Sequence, residues 1–452
     1  MKLSFLLSAL LTAGLGFATT AFAQDDSLVA QGKYLATAGD CAACHTSDGG
    51  KPFAGGLAIA TPIGNIVASN ITPSKTDGIG DYSEAEFARA VREGVRRDGA
   101  NLYPAMPYTA YAKISDADIH ALYTYLMQGV QPVDVAAPET KLPFPFSIRA
   151  SMWGWNLLFL DDTRFTPDPA RDAAWNRGAY LAEGLEHCST CHTPRNFLMA
   201  EKSGDALSGA SLGTWYAPNI TSDPVHGIGG WSVDDIATYL STGRSDHGSE
   251  AGGPMLEAIN KSLSHLSPGD IHALATYIHS IAAKAGQVAP GDTAQAAPLD
   301  DDVALMNGTA SAGANLYADH CSTCHQAGGE GGNGLPALLG NAALRRPVAD
   351  NVAMAILEGL TPRDGLANSQ AMPGFGQVMD DSQVATLTNY LFAKLGDAGV
   401  QITPARVAAL RAGGAPSPLL ALARDGMIAA AVVVVLVILA LLIWLLRRRR
   451  AA

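Results

Sequence analysis

Cys41-Ala42-Ala43-Cys44-His45, Cys188-Ser189-Thr190-Cys191-His192 and Cys321-Ser322-Thr323-Cys324-His325 between them contain every one of the six cysteines in this 452-residue sequence. In an exported protein an even cysteine count suggests disulfides. Neither redox disulfides nor zinc knuckles, however, account for a histidine directly after the second cysteine three times over. Two cysteines three apart share one face of a helical turn, where both sulfurs can form thioethers with the two vinyl groups of one haem. The adjoining imidazole is then presented to the iron. The pattern predicts three covalently bound haem c groups, attached at Cys41 and Cys44, at Cys188 and Cys191, and at Cys321 and Cys324. His45, His192 and His325 are the proximal ligands.

The surroundings of the motifs repeat as well, which marks one unit used three times. Gly32-Lys33-Tyr34-Leu35, Gly178-Ala179-Tyr180-Leu181 and Gly313-Ala314-Asn315-Leu316 lead into the three motifs as equivalent first helices. Asn70-Ile71-Thr72 with Gly78-Ile79-Gly80 matches Asn219-Ile220-Thr221 with Gly227-Ile228-Gly229, so the first two units are closer kin. Each unit ends in an amphipathic helix, carried by Ile119, Leu122, Tyr123 and Leu126, by Ile271, Leu274 and Ile278, and by Val384, Leu387 and Leu391. These are expected to pack on the first helices. Asp116 or Asp118, Asp270, and Asp380 or Asp381 supply acidic residues at their starts, favourable for the helix dipole. No β pattern stands out.

A low-spin carrier haem needs a sixth ligand, usually a methionine thioether in a unit of this kind. No histidine follows His325, and His320 abuts the Cys321 attachment. Met372, in Ala371-Met372-Pro373-Gly374-Phe375, lies in a loop that proline keeps out of a helix and is the choice for the third haem; Met354 reads as core and Met379 precedes the last helix. Met106, in Ala105-Met106-Pro107-Tyr108, is its parallel in the first unit, while Met127 falls inside the final helix. In the second unit Gly252-Gly253-Pro254-Met255 reverses the Met-Pro order and His247 and His265 flank it; Met255 is chosen over them. His120 and His272, in matching Asp-Ile-His-Ala-Leu segments, read as structural.

The ends place the chain at a membrane. Lys2, the apolar run from Leu3 to Phe17 and Ala21-Phe22-Ala23 form an export signal with a small-x-small cleavage site, covering 1–23. From Met427 to Leu446 no charge interrupts a run about 30 Å long as a helix, enough for one span. Arg447 to Arg450 follow, and the positive-inside rule puts them in the cytoplasm, leaving the rest in the periplasm. The formal net charge of −12 makes nucleic acid an unsuitable partner. The resulting organisation is all-α: unit one at 24–141, an apolar interdomain segment at 142–165, unit two at 166–285, a linker at 286–303, unit three at 304–398, a tether at 399–426, the span at 427–446 and a basic tail at 447–452. Phe144, Phe146, Trp153, Trp155 and Phe159 crowd the apolar segment. Interdomain packing, a docking face and a quinone-contact surface each account for it.

The chain resembles the three-haem cytochrome c subunit of bacterial membrane-bound dehydrogenases, the type that accompanies quinoprotein alcohol dehydrogenase and flavin-dependent gluconate or fructose dehydrogenases. Beyond the haem motifs, the resemblance is carried by Gly55-Gly56-Leu57 through Asn70-Ile71-Thr72-Pro73, by Gly78-Ile79-Gly80, and by Arg97-Asp98-Gly99 leading to Tyr103-Pro104-Ala105-Met106-Pro107-Tyr108. It implies three tandem cytochrome c-like domains that take electrons from a separate catalytic subunit, a quinoprotein, flavoprotein or molybdopterin enzyme, and pass them to membrane ubiquinone. The cysteines and histidines of the three motifs with Met106, Met255 and Met372 would then hold the haems, and the chain would carry no catalytic residues of its own. The C-terminal span with its arginines is not common to all members of that family. A peroxidase-like or haem-ligand-binding protein and an electron-donor subunit of a terminal oxidase are the alternative readings.

Overall fold

A computed structural model of the chain describes residues 26–245, 249–283, 298–332, 335–363, 370–414 and 418–450. The export signal, His247 and most of the 286–303 linker lie outside the described residues.

The repeated first helices are α1 (26–38), α7 (Ala173–Tyr180) and α13 (Ala312–His320), and the amphipathic last helices are α5 (Asp116–Thr124), α11 (Pro268–His279) and α16 (Asp381–Leu395). First and last helices cross at the repeated glycine. A methyl added at Gly32 would fall on the Ala121 carbonyl, at Gly178 on the Ala273 carbonyl, and at Gly313 on the Cβ of Tyr390. At Gly32 and Gly178 glycine is required because the two backbones touch, and at Gly313 because the Tyr390 Cβ fills the space. Ile119, Leu122, Leu126, Ile271, Leu274, Ile278, Val384, Leu387 and Leu391 are all buried, as their spacing predicts. Ser115, Ser267 and Asp380 accept hydrogen bonds from backbone N–H groups three residues on, capping the last helices.

Between these elements lie α3 (Glu84–Glu93) and α4 (Tyr108–Tyr111) in the first repeat, α9 (Val233–Thr242) and α10 (Gly253–Lys261) in the second, and α15 (Asp350–Glu358) in the third, whose last helix is followed by α17 (Pro404–Arg411). The chain is mostly helical, with one correction to the expectation of no β structure. Two antiparallel ribbons form, β1 (Ala58–Thr61) with β2 (Gly64–Val67) and β3 (Ala210–Ser211) with β4 (Tyr216–Ala217). Their arms are too short for alternation to register in the sequence. The first is instead fixed by its turn, where Gly64 takes φ +124, and by Val67 N–H donating to Thr140 Oγ1.

The hydrophobic residues gather in two clusters. One runs from Leu35 to Ile278 and is shared by the first two repeats; the other runs from Ala314 to Leu410. The first two repeats are stitched reciprocally. Tyr34 Oη donates to Asp270 Oδ2 (2.6 Å) at the start of α11, and Tyr180 Oη donates to Asp118 Oδ2 (2.5 Å) at the start of α5. The N–H groups of the caps Ser267 and Ser115 donate to the same two hydroxyls. In the third repeat Asn315 stands where the tyrosine would be.

The apolar interdomain segment carries α6 (Ser151–Phe159), laid on the outside of the first repeat. Asn156 accepts from Tyr108 Oη and donates to the Glu93 carbonyl, and Trp155 Nε1 donates to the Leu198 carbonyl of the second repeat. Phe144, Trp153, Leu157 and Leu158 stay exposed, as does Phe197 of the second repeat. The last helix, α18 (Pro418–Arg450), contains one apolar stretch, Pro418–Trp444, long enough to cross a membrane by length and composition.

Candidate functional site

Each Cys-x-x-Cys-His motif forms a short helical turn: α2 (Cys41–Cys44), α8 (Ser189–His192) and α14 (Ser322–His325). None of the six thiols is in a disulfide. Burial pushes Cys41 and Cys321 up to about 12 and Cys44 up to about 11, and raises Cys188 and Cys191 as well. Among the described residues no group of three or more His, Cys, Asp or Glu side chains gathers at these pairs to hold a metal ion directly. Tyr111 bridges the first two attachment turns: its hydroxyl donates to the Gly39 carbonyl (2.6 Å) and its ring lies 5.6 Å from that of His187.

The three histidines share one geometry. His45 Nδ1 bonds the Ser69 carbonyl at 2.7 Å, His192 Nδ1 the Pro218 carbonyl at 2.6 Å, and His325 Nδ1 the Pro336 carbonyl at 2.8 Å. A carbonyl only accepts, so Nδ1 carries the proton and Nε2 keeps its lone pair for a metal, with the ring's orientation fixed. Burial also lowers the His45 and His192 pKa values, which favours the neutral, ligating form. This arrangement fits a haem c iron at each motif.

In the first two repeats the accepting carbonyl immediately precedes the Asn-Ile-Thr motif. Asn70 Oδ1 accepts from Thr72 N–H (2.9 Å) and Oγ1 (2.7 Å), and Asn219 Oδ1 does the same with Thr221 at the same distances. The Gly-Ile-Gly turn then docks by Ile79 N–H on the Thr72 carbonyl and Ile228 N–H on the Thr221 carbonyl. These residues were visible in the sequence as a repeat, but their work of holding the histidine's acceptor was not. An Asx turn readable from Asn-x-Thr was the available signal. The third repeat uses Pro336 without such a motif.

The candidate sixth ligands sit in different settings. Met106 lies half-buried in the loop entering α4, packed against the cluster that includes Cys41. Met255 occupies the first turn of α10 rather than a loop. Met372 is pinned by mutual backbone hydrogen bonds with Leu360. Met354 and Met379 are buried in the second cluster. His265 is exposed and turned to the Asn260 carbonyl, and His120 and His272 lie on exposed helix faces.

One continuous cavity is lined by Cys188, Cys191, His192 and Met255 and also by Cys321, Cys324, His325 and Met372. The second and third motifs therefore open onto a common space, across the seam between the two clusters.

The model of the cytochrome c family matches residues 29–129 and 310–393. The chain is 43% identical over 419 residues to the fructose dehydrogenase cytochrome subunit of Gluconobacter japonicus, covering 88% of this chain and 86% of that one. It is 43% identical over 425 residues to the gluconate 2-dehydrogenase cytochrome c subunit of Pantoea cypripedii, covering 89% and 94%. It is 38% identical over 431 residues to the cytochrome c subunit of alcohol dehydrogenase (quinone) from Gluconacetobacter polyoxogenes, covering 92% and 91%. With similarity of this extent added to the geometry of the three motifs, the chain belongs to the cytochrome c family, among the cytochrome c subunits of dehydrogenases.

Proposed function

We propose that this protein is the three-haem electron-transfer subunit of a membrane-bound dehydrogenase, taking electrons from a catalytic subunit that oxidises an alcohol, aldehyde, sugar or sugar acid and delivering them to ubiquinone. Haem c held at these motifs supplies one-electron chemistry. The chain's residues would hold and tune it: the six cysteines would attach it, and His45, His192 and His325 with Met106, Met255 and Met372 would supply its iron ligands. The observation that carries this reading is the repeated histidine geometry, Nδ1 committed to a backbone carbonyl and Nε2 free, beside a buried thiol pair. The relatives' names as cytochrome subunits of fructose, gluconate and alcohol dehydrogenases support the catalytic partner.

The chain is organised as three cytochrome c units at 24–141, 166–285 and 304–398. After removal of 1–23 they stand in the periplasm, and 427–446 crosses the inner membrane with the 447–452 tail in the cytoplasm. The apolar stretch of α18 supports this topology. Intact mass of the mature chain should carry three haem additions, and redox titration should resolve three one-electron components. Met372→Ala should keep all three haems attached and lower one midpoint potential, because loss of the thioether ligand removes a group that favours the reduced iron. A titration identical to wild type would rule out Met372 as the ligand.

A further inference from the structure

Arg346 is 8% exposed and belongs to the third repeat, yet it points across the seam into the second. Its Nη1 donates to the carbonyls of His226 and Gly227, the start of the second Gly-Ile-Gly turn. Among the described residues its Nε and Nη2 donate to nothing, and no carboxylate reaches ion-pair distance. Asp223, the acid whose charge it feels, is already engaged: Oδ1 accepts from the N–H groups of Val225 and His226, and Oδ2 from the Asn219 amide. Arg346 lines the shared cavity together with His192, Tyr216 and Tyr239 and is electrostatically coupled to each of them. Neither tyrosine hydroxyl has a hydrogen-bond partner among the described residues.

A buried guanidinium with no counter-charge is costly, and bidentate donors of this kind match a carboxylate. Two unused hydroxyls on the same cavity wall add donors for the same anion. The carboxylates that a haem attached at Cys188 and Cys191 brings into this cavity are its propionates. We propose that Arg346, with Tyr216 and Tyr239, binds a propionate of the second haem, so that the third repeat completes the cofactor site of the second.

This rests on the reading that Cys188–His192 holds haem c, and haem count by intact mass tests that reading separately. In the full-length chain, Arg346→Gln should retain three haems, lower the midpoint of one redox component and shift the propionate bending bands in resonance Raman. Removing a cation beside the haem disfavours the reduced state, hence the sign. The component should be the one that Met255→Ala also moves, and Arg346→Lys should restore part of the shift. Arg345→Gln, an exposed neighbour, should move nothing. If Arg346→Gln does not accumulate, Tyr216→Phe with Tyr239→Phe carries the test, with the same component shifting downward. Unchanged potentials and Raman bands in a three-haem variant, or movement of the component that Met372→Ala moves, would overturn the assignment.

Discussion

The first two repeats and the third are built from the same parts but are joined differently. Repeats one and two share a single hydrophobic cluster, and each reaches with a tyrosine to an aspartate in the first turn of the other's last helix. The third has its own cluster and meets the second along a seam where Trp215 packs onto that cluster, Asn351 exchanges hydrogen bonds with the Tyr216 backbone and Arg346 reaches the Gly-Ile-Gly turn. One position explains much of the contrast. Tyr34 and Tyr180 sit where the third repeat has Asn315, whose amide contacts only the nearby Ala310 carbonyl. A side chain too short to reach a neighbouring repeat leaves the third unit to dock by other means.

The most severe way to break this comparison is to remove one haem from each side. A haem contributes a large apolar surface to the core around it, so its loss should spread as far as that core extends. Cys41→Ser with Cys44→Ser should remove the first haem and also lower occupancy of the second site and the melting temperature of the pair. Cys321→Ser with Cys324→Ser should remove the third haem while the first stays fully loaded and the second, whose motif opens onto the same cavity, keeps its covalent attachment. Intact mass and thermal melting followed at the Soret band would read both. Equal damage from the two double variants would mean that the cores are not independent.

What the sequence made legible follows the range of the interactions. The three Cys-x-x-Cys-His turns, the repeated first-helix segments and the apolar faces of the last helices are local patterns, and the structure places them as the spacing predicts. The shared core was not legible, because its links join residues far apart: Tyr34 and Asp270 are 236 positions apart. Arg346 gave no signal, since nothing about Arg345-Arg346 distinguishes a buried cation from a solvated pair. The reversed order at Pro254-Met255 was visible, but its consequence was not: Pro254 opens a helix there and puts Met255 in its first turn.

A smaller effect distinguishes the helix crossings. In Gly178→Ala the new methyl meets the Ala273 carbonyl oxygen and carbon, backbone atoms held by α11, so the helices must separate. The expected loss is about 3 kcal/mol, the upper end for overpacking. In Gly313→Ala the methyl meets the Cβ of Tyr390, a less severe overlap than that with the Ala273 carbonyl at Gly178, so the helices part less and about 1–2 kcal/mol is expected. Urea unfolding of the two variants would rank them, and a larger loss at Gly313 would show that the third repeat holds the tighter crossing.

The smallest effect tests the reciprocal stitch, which is not symmetric. Asp270 binds Arg177 through two hydrogen bonds (2.7 and 2.8 Å) as well as Tyr34, whereas Asp118 has Tyr180 and the Gln31 amide. Asp270→Asn should therefore cost about 2 kcal/mol and Asp118→Asn about 1 kcal/mol, in line with hydrogen bonds to charged and neutral partners respectively. Burial pushes the Asp270 carboxyl up, but Arg177 and Tyr34 together outweigh it and hold the carboxyl below its ordinary value of 3.8. A carboxylate depressed on folding stabilises fully above its unfolded pKa and loses that contribution as pH falls through its folded pKa. The stability gap between wild type and Asp270→Asn should thus be constant from about pH 7 to about pH 5 and narrow below about pH 4. Urea midpoints across that range would check it. A gap that widens on acidification would place the carboxyl's folded pKa above its unfolded one and remove Arg177 as the source of the asymmetry.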